Sequence, residues 1–147
     1  KIPPLKKISY HFGDELNKKL IAIWGLSFKP NTDDMRESPS IVLIEALLRA
    51  GVSIKVYDPE AMEECKRIFK DQHEISYSPS PIEASEGADA LVIVTEWSEF
   101  RGIDIEQVGD SLKSKTIFDG RNIYDPKLMI DNGFAYYGIG RGLSIYE

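Results

Sequence analysis

The chain of 147 residues predicts an α/β fold, a doubly wound parallel sheet entered through an amphipathic helix. Two observations carry that prediction. Short apolar or β-branched runs, such as Leu-Ile-Ala-Ile-Trp at 20–24 and Ala-Leu-Val-Ile-Val-Thr at 90–95, alternate with stretches of helical periodicity. The junctions between them also carry start and stop signals: Ser38-Pro39 opens a helix that Gly51 ends, and Asp58-Pro59 opens the next.

Residues 1–16 begin with two prolines and then place Leu5, Ile8, Phe12 and Leu16 at helical spacing with lysines between them. We read 1–19 as the end of a helix arriving from elsewhere in a longer polypeptide, and 20–147 as the domain proper. A strand is expected at Leu20–Trp24 and a helix at 39–50, its buried face made by Ile41, Ile44, Leu47 and Leu48. A strand at Ser53–Tyr57 follows, closed by Asp58-Pro59 ahead of a helix at about 60–69. A short strand near Ile75–Tyr77, a brief helix at 81–87 and the strand at 90–95 come next. Strands at 116–118 and 134–137 complete the sheet. No internal repeat or low-complexity tract interrupts it.

Length alone allows one domain with a core that needs no staples. The single cysteine cannot form an internal disulfide, which fits a reducing, cytoplasmic setting. No apolar run is long enough to cross a bilayer, so no membrane role is expected. The net charge of −6, with lysines and arginines scattered along the chain, argues against a nucleic-acid surface. It leaves room for a small anion, because the field in a cleft is set by its nearest groups.

The most informative stretch is Gly25-Leu26-Ser27-Phe28-Lys29-Pro30-Asn31-Thr32-Asp33-Asp34-Met35-Arg36-Glu37-Ser38-Pro39. It joins a strand to a helix at the carboxyl edge of the sheet, where open α/β sheets bind ligands, and the helix start offers free N–H groups and a positive dipole end. Lys29 and Arg36 add cations, so the turn reads as an anion site, with phosphate the best fit. Lys29 precedes Pro30, which biases its backbone toward an extended form and leaves the loop stretched; a solvated surface lysine is the plain alternative. Arg36 can hold a diphosphate with its fork or pair with Asp33, Asp34 or Glu37. Asp119-Gly120-Arg121-Asn122 also leaves a strand at the carboxyl edge, with Gly120 free to take the positive φ that turns Arg121 over the sheet. An exposed arginine on an ordinary turn is the other reading. Trp97 and Phe100 are expected to anchor a loop.

Asp58 ends the second strand, where dinucleotide folds keep an acidic residue for a ribose hydroxyl. The first turn, however, reads Gly-Leu-Ser-Phe-Lys-Pro and has no Gly-x-Gly-x-x-Gly. The sheet is therefore Rossmann-like without the usual NAD turn, and Asp58 is expected to cap the helix after Pro59. Cys65 lies among Glu63, Glu64, Lys66 and Arg67 with no histidine nearby in sequence, which does not describe an activated thiol.

Together with Thr95-Glu96-Trp97 and Phe118-Asp119-Gly120-Arg121-Asn122, the segment after the first strand resembles the C-terminal, UDP-binding domain of the UDP-glucose/GDP-mannose dehydrogenase family, from about Leu20 to about Arg141. The resemblance implies an oxidoreductase that uses NAD to convert UDP-glucose to UDP-glucuronate through a cysteine thioester, as a polysaccharide precursor. It implies that Lys29 and Arg121 contact the UDP-sugar and that Arg36 reaches the NAD pyrophosphate across an interdomain cleft. It also implies that NAD is held mainly by an N-terminal domain absent from this chain, that the nucleophilic cysteine lies there too, and that the partners are the enzyme's own N-terminal and central domains in a homo-oligomer. Members acting on GDP-mannose or UDP-N-acetylhexosamines remain alternatives, as does a stand-alone nucleotide-binding or receiver-like module.

Overall fold

Strand β1 (Leu20–Trp24) is buried along nearly its whole length, and its side chains alternate between two separate cores. Ile21 and Ile23 point into one, Ala22 and Trp24 into the other. That pattern requires helices on both faces, as in a parallel sheet. A computed structural model describes residues 3–138, with side chains from Leu5 onward; the end of the family-like stretch at Arg141 lies outside them.

The described elements run α1 (Pro3–Phe12), a 3₁₀ helix (Gly13–Lys18), β1, α2 (Pro39–Arg49), β2 (Ser53–Tyr57), α3 (Met62–Phe69), β3 (Ile75–Tyr77), α4 (Pro81–Ser85), β4 (Ala90–Ile93), α5 (Ser98–Arg101), α6 (Ile105–Ser111), β5 (Thr116–Asp119), α7 (Pro126–Asp131) and β6 (Ala135–Gly138). The six strands are all parallel in the order β3-β2-β1-β4-β5-β6. The order reverses between β1 and β4, so the crevice in which such sheets bind ligands opens at the carboxyl ends of those two strands.

One core holds Ile8 of α1, Leu43, Ile44 and Leu47 of α2, and Cys65 of α3 against the sheet. The other holds Ala84 of α4, Phe100 of α5, Val108 of α6 and Met129 of α7. Helix α1 is part of this packing: Ile8 is fully buried, His11 Nδ1 lies 2.8 Å from the Tyr137 hydroxyl, and Lys7 Nζ donates to the Gly138 carbonyl of β6.

Several details depart from the periodicity reading. The first helix ends at Phe12, because Gly13 takes φ +56, and Leu16 reaches the core from a 3₁₀ turn. The buried face of α2 centres on Leu43 as well as Ile44 and Leu47, while Ile41 and Leu48 are only partly covered. Helices α5, α6 and α7 were not foreseen. They are short, and α6 and α7 are opened by the side-chain caps of Asp104 and Asp125.

Candidate functional site

The loop after β1 is built around Gly25, whose φ of +95 and whose contact with β4 both exclude a side chain: a Cβ there would sit 2.6 Å from the Thr95 Cβ and amide nitrogen. This close approach knits the two strand ends that flank the crevice. Thr95 Oγ1 donates to the Ser27 carbonyl at 2.8 Å, and the Gly25 amide donates to the Tyr57 carbonyl at 2.8 Å.

Asp58, fully buried at the end of β2, is the centre of this arrangement. Its Oδ2 accepts from the amides of Leu26 (2.6 Å) and Ser27 (3.1 Å) and from Trp97 Nε1 (3.2 Å). Its Oδ1 accepts from the amides of Glu60 and Ala61, both at 2.8 Å. Asp58 does receive N–H groups after Pro59, but α3 starts only at Met62, and Ala61 at its N-cap gives no side-chain bond. The wider role is the other oxygen. Amides after the first strand that hold a pyrophosphate in dinucleotide folds are here taken by the protein's own carboxylate.

The start of α2 is closed as well, against the expectation that its N–H groups and dipole face a ligand. Ser38 Oγ accepts the Ser40 amide, and the hydroxyls of Ser38 and Ser40 both donate to the Leu26 carbonyl, at 2.8 and 2.6 Å. Ser38 and Ser40 are buried, because the loop folds back over the helix start. Nor is that loop stretched. The Phe28 amide donates to the Asp34 carbonyl at 2.7 Å, Ser27 Oγ donates to the Lys29 carbonyl at 2.8 Å, and Asn31 turns at φ +67. These closures outweigh the local bias that Pro30 places on Lys29.

The edge presents cations to solvent beside the exposed carboxylates of Asp33 and Glu37. Lys29 is exposed on the folded loop beside Phe28, which is 47% exposed. Arg36 is exposed and gripped by Asp34, with Nε to Oδ1 at 3.1 Å and Nη2 to Oδ2 at 2.9 Å. The hydrogen bond from Arg36 holds the Asp34 carboxyl below its ordinary range. Arg36 lines two open clefts, one of about 430 Å³ with Thr32, Asp33, Asp34, Glu64 and Arg67, the other of about 280 Å³ with Phe28, Asp34 and Glu37.

Arg121 stands after β5, two strands from β1, or about 10 Å at the usual strand spacing. Its backbone is pinned by Asp119, a buried carboxylate that accepts from the amides of Arg121 (3.0 Å), Ile123 (2.9 Å) and Tyr124 (3.1 Å) and from the Tyr136 hydroxyl (2.6 Å). Asn122, at φ +55, takes the left-handed conformation expected of Gly120, since the chain must turn after Arg121 to bring the next amides back to Asp119. The Arg121 side chain forms a two-pronged bridge to Glu96 after β4, with Nε to Oε1 at 2.6 Å and Nη2 to Oε2 at 3.1 Å. The arginine's hydrogen bond holds the Glu96 carboxyl below its ordinary range.

Lys29, Arg36 and Arg121 therefore share the carboxyl edge, Lys29 and Arg36 on one loop and Arg121 on another. Glu96, Asp58 and Asp119 were not singled out as site-builders from sequence. The available signal was position: each acidic residue stands at, or directly after, a strand end on that edge. Trp97 and Phe100 are buried as anchors. Cys65 is fully buried, burial pushes its thiol up, and the Tyr77 hydroxyl lies 3.5 Å from its sulfur. Among the described residues no helix is long and apolar enough to cross a membrane.

Residues 22–126 match the UDP-glucose/GDP-mannose dehydrogenase family, UDP binding domain. The chain is 46% identical over 126 residues to a UDP-glucose 6-dehydrogenase of Pseudomonas aeruginosa, covering 84% of this chain and 28% of that protein. It is 41% identical over 136 residues to one of Rhizobium meliloti, covering 92% and 30%. The chain thus spans less than a third of the length of these relatives. Among solved structures, a UDP-D-ManNAc dehydrogenase from Pyrococcus horikoshii superposes with a TM-score of 0.71 at 31% identity, over 95% of this chain and 29% of that one. A UDP-glucose dehydrogenase from Pyrobaculum islandicum gives 0.62 at 27%, over 80% and 27%. With the matched segment holding both cation-bearing loops, the chain belongs to the UDP-glucose/GDP-mannose dehydrogenase family and corresponds to its UDP binding domain.

Proposed function

We propose that this chain is the nucleotide-sugar-binding part of an NAD-dependent UDP-glucose 6-dehydrogenase, which converts UDP-glucose to UDP-glucuronate. The observation that carries the reading is the division of the carboxyl edge. Amides after β1 and β5 are held by Asp58 and Asp119, and what remains for an external anion is Lys29 with the Nη1 ends of Arg36 and Arg121 that their carboxylate bridges leave open. Lys29 and Arg121 bind the diphosphate of the UDP-sugar, and Arg36 binds the pyrophosphate of NAD.

The residues present fit NAD only in that limited way. Arg36 keeps its Nη1 without a partner among the described residues, whereas the Leu26 and Ser27 amides after β1 are already held by Asp58. NAD, when bound, accepts the hydride from the sugar. The principal NAD contacts and the nucleophile belong to the rest of a longer enzyme that works as a cytoplasmic homo-oligomer. Cys65, buried with a raised thiol pKa, is structural.

Steady-state kinetics of the full-length enzyme test the assignment. A charge-assisted contact contributes about 1.5–3 kcal/mol, and about 1.4 kcal/mol is tenfold in kcat/KM. Lys29→Ala and Arg121→Ala should each lower kcat/KM for UDP-glucose by about ten- to a hundredfold, while Arg36→Ala acts mainly on NAD. Unchanged kinetics in all three variants would refute the site. A second reading, an N-acetylhexosamine substrate, is favoured by the superposition on the UDP-D-ManNAc dehydrogenase; comparing kcat/KM for UDP-glucose and UDP-N-acetylmannosamine separates the two. Tight UDP binding by this chain alone, seen by calorimetry, would favour a stand-alone module.

A further inference from the structure

Both arginines of the site are held in the same way. A carboxylate takes the Nε and Nη2 positions of the guanidinium, leaving Nη1 without a partner among the described residues. A fork held along its Nε/Nη2 side points its far end, the Nη1/Nη2 side, away from the carboxylate, where it still offers two parallel N–H groups to a phosphate. The bridge thus aims the arginine without consuming it.

The two bridges differ in how firmly they are built. Asp34 lies two residues from Arg36 on the same exposed loop, and the Arg36 side chain is 88% exposed. Glu96 and Arg121 come from different strand ends, and their side chains are 31% and 39% exposed. Each is anchored in the backbone beside it. Thr95 and Trp97, on either side of Glu96, are buried and bonded to Ser27 and Asp58; the Arg121 amide is bonded to Asp119. With both ends fixed, the only freedom left to Arg121 is rotation of its side chain, and the bridge removes it.

We propose that Glu96 is a positioning residue that holds Arg121 in its ligand-binding orientation before the nucleotide sugar arrives. This rests on the reading that Arg121 contacts the UDP-sugar. Two effects of Glu96 compete. Ordering a long side chain in advance spares that cost at binding, which corresponds to roughly three- to tenfold in affinity for one such residue. A carboxylate near a diphosphate also repels it, but the partial exposure of the pair screens this long-range term more than it weakens the direct bridge. Orientation should therefore win.

The test is steady-state kinetics of the full-length enzyme with Glu96→Ala, Glu96→Gln, Arg121→Ala and the double variant Glu96→Ala/Arg121→Ala. The expected result for Glu96→Ala is a KM for UDP-glucose raised roughly three- to tenfold, with kcat and the KM for NAD within twofold. Glu96→Gln, which keeps one acceptor for the fork, should fall between wild type and Glu96→Ala. The double variant should be no worse than Arg121→Ala, because without the arginine there is nothing to aim. An unchanged or lowered KM in Glu96→Ala overturns the inference, the lowered value identifying the carboxylate as a repulsive group. So does a double variant whose loss is the product of the two single losses. If Arg121→Ala itself leaves the KM for UDP-glucose unchanged, the underlying assignment of Arg121 fails. If it raises that KM while Glu96→Ala does not, only the positioning role fails. A purely structural Glu96 would instead lower Tm and disturb both KM values together.

Discussion

Asp58→Asn is the sharpest probe of how the edge is built, because it changes one atom and removes one charge. In the native chain Oδ2 faces three N–H donors, from Leu26, Ser27 and Trp97, and Oδ1 faces two, from Glu60 and Ala61. Asparagine has one carbonyl oxygen and one NH₂ group. Either orientation turns the NH₂ toward donors: the better one leaves the Glu60 and Ala61 amides unbonded, the worse one leaves the other three. Asp58 is fully buried, so solvent does not replace the lost acceptor without opening the loop. Two unsatisfied donors at about 1–3 kcal/mol each give a loss of about 2–6 kcal/mol. For a domain of this size, 1 kcal/mol lowers Tm by about 2–4 °C, so the fall should be roughly 4–24 °C. The assay is thermal unfolding followed by circular dichroism, with amide exchange at Leu26 and Ser27 as the local readout. A Tm within 2 °C of wild type, with both amides still protected, would falsify the view that Asp58 ties the three strand ends together.

Other expectations follow from the same geometry. Gly25→Ala should be at least as damaging as a typical core overpacking change, about 1–3 kcal/mol, because its Cβ meets Thr95 at 2.6 Å and its φ is +95; a Tm equal to wild type would be inconsistent with that contact. In the full-length enzyme, Cys65→Ser should leave turnover within a few-fold, and a loss of several orders of magnitude with normal folding would make Cys65 the nucleophile. The Cys65 thiol, buried and raised in pKa, should react slowly with a disulfide reagent at pH 8 in the folded chain and rapidly after unfolding; equal rates would contradict its burial. Burial, followed by the hydrogen bond to Glu99, pushes Tyr57 up to about 12, and burial also raises Tyr77 and Tyr124. A raised folded pKa means the contribution to stability is complete below the unfolded value of about 10 and is lost as pH climbs through the folded value. Stability should thus begin to fall above about pH 10, with tyrosinate absorbance appearing later in the folded than in the unfolded chain; coincident titrations would contradict the burial of these hydroxyls.

The parallel sheet, its six strands and the positions of Lys29, Arg36 and Arg121 at strand-end loops were legible in the sequence, because alternating apolar runs, Ser38-Pro39 and Gly51 act over a few residues at a time. That the turn after β1 reads Gly-Leu-Ser-Phe-Lys-Pro and not Gly-x-Gly-x-x-Gly was legible in the same way. What the sequence left open was how each strand-end group is spent. Asp58 read as a helix cap because Pro59 is its neighbour in sequence; its bonds to Leu26, Ser27 and Trp97 span 31 to 39 residues and exist only once β1, β2 and β4 lie side by side. The helix start expected to be free at α2 is closed by the Ser38 side chain, which takes the Ser40 amide, while the Ser38 and Ser40 hydroxyls are tied to a carbonyl 12 and 14 residues upstream. Glu96 met Arg121 across 25 residues for the same reason. Periodicity and capping record the preferences of a local stretch of chain, whereas the pairing of a buried carboxylate or an arginine fork is chosen by whichever donors and acceptors the packed sheet brings within hydrogen-bonding distance, and only the tertiary structure decides that.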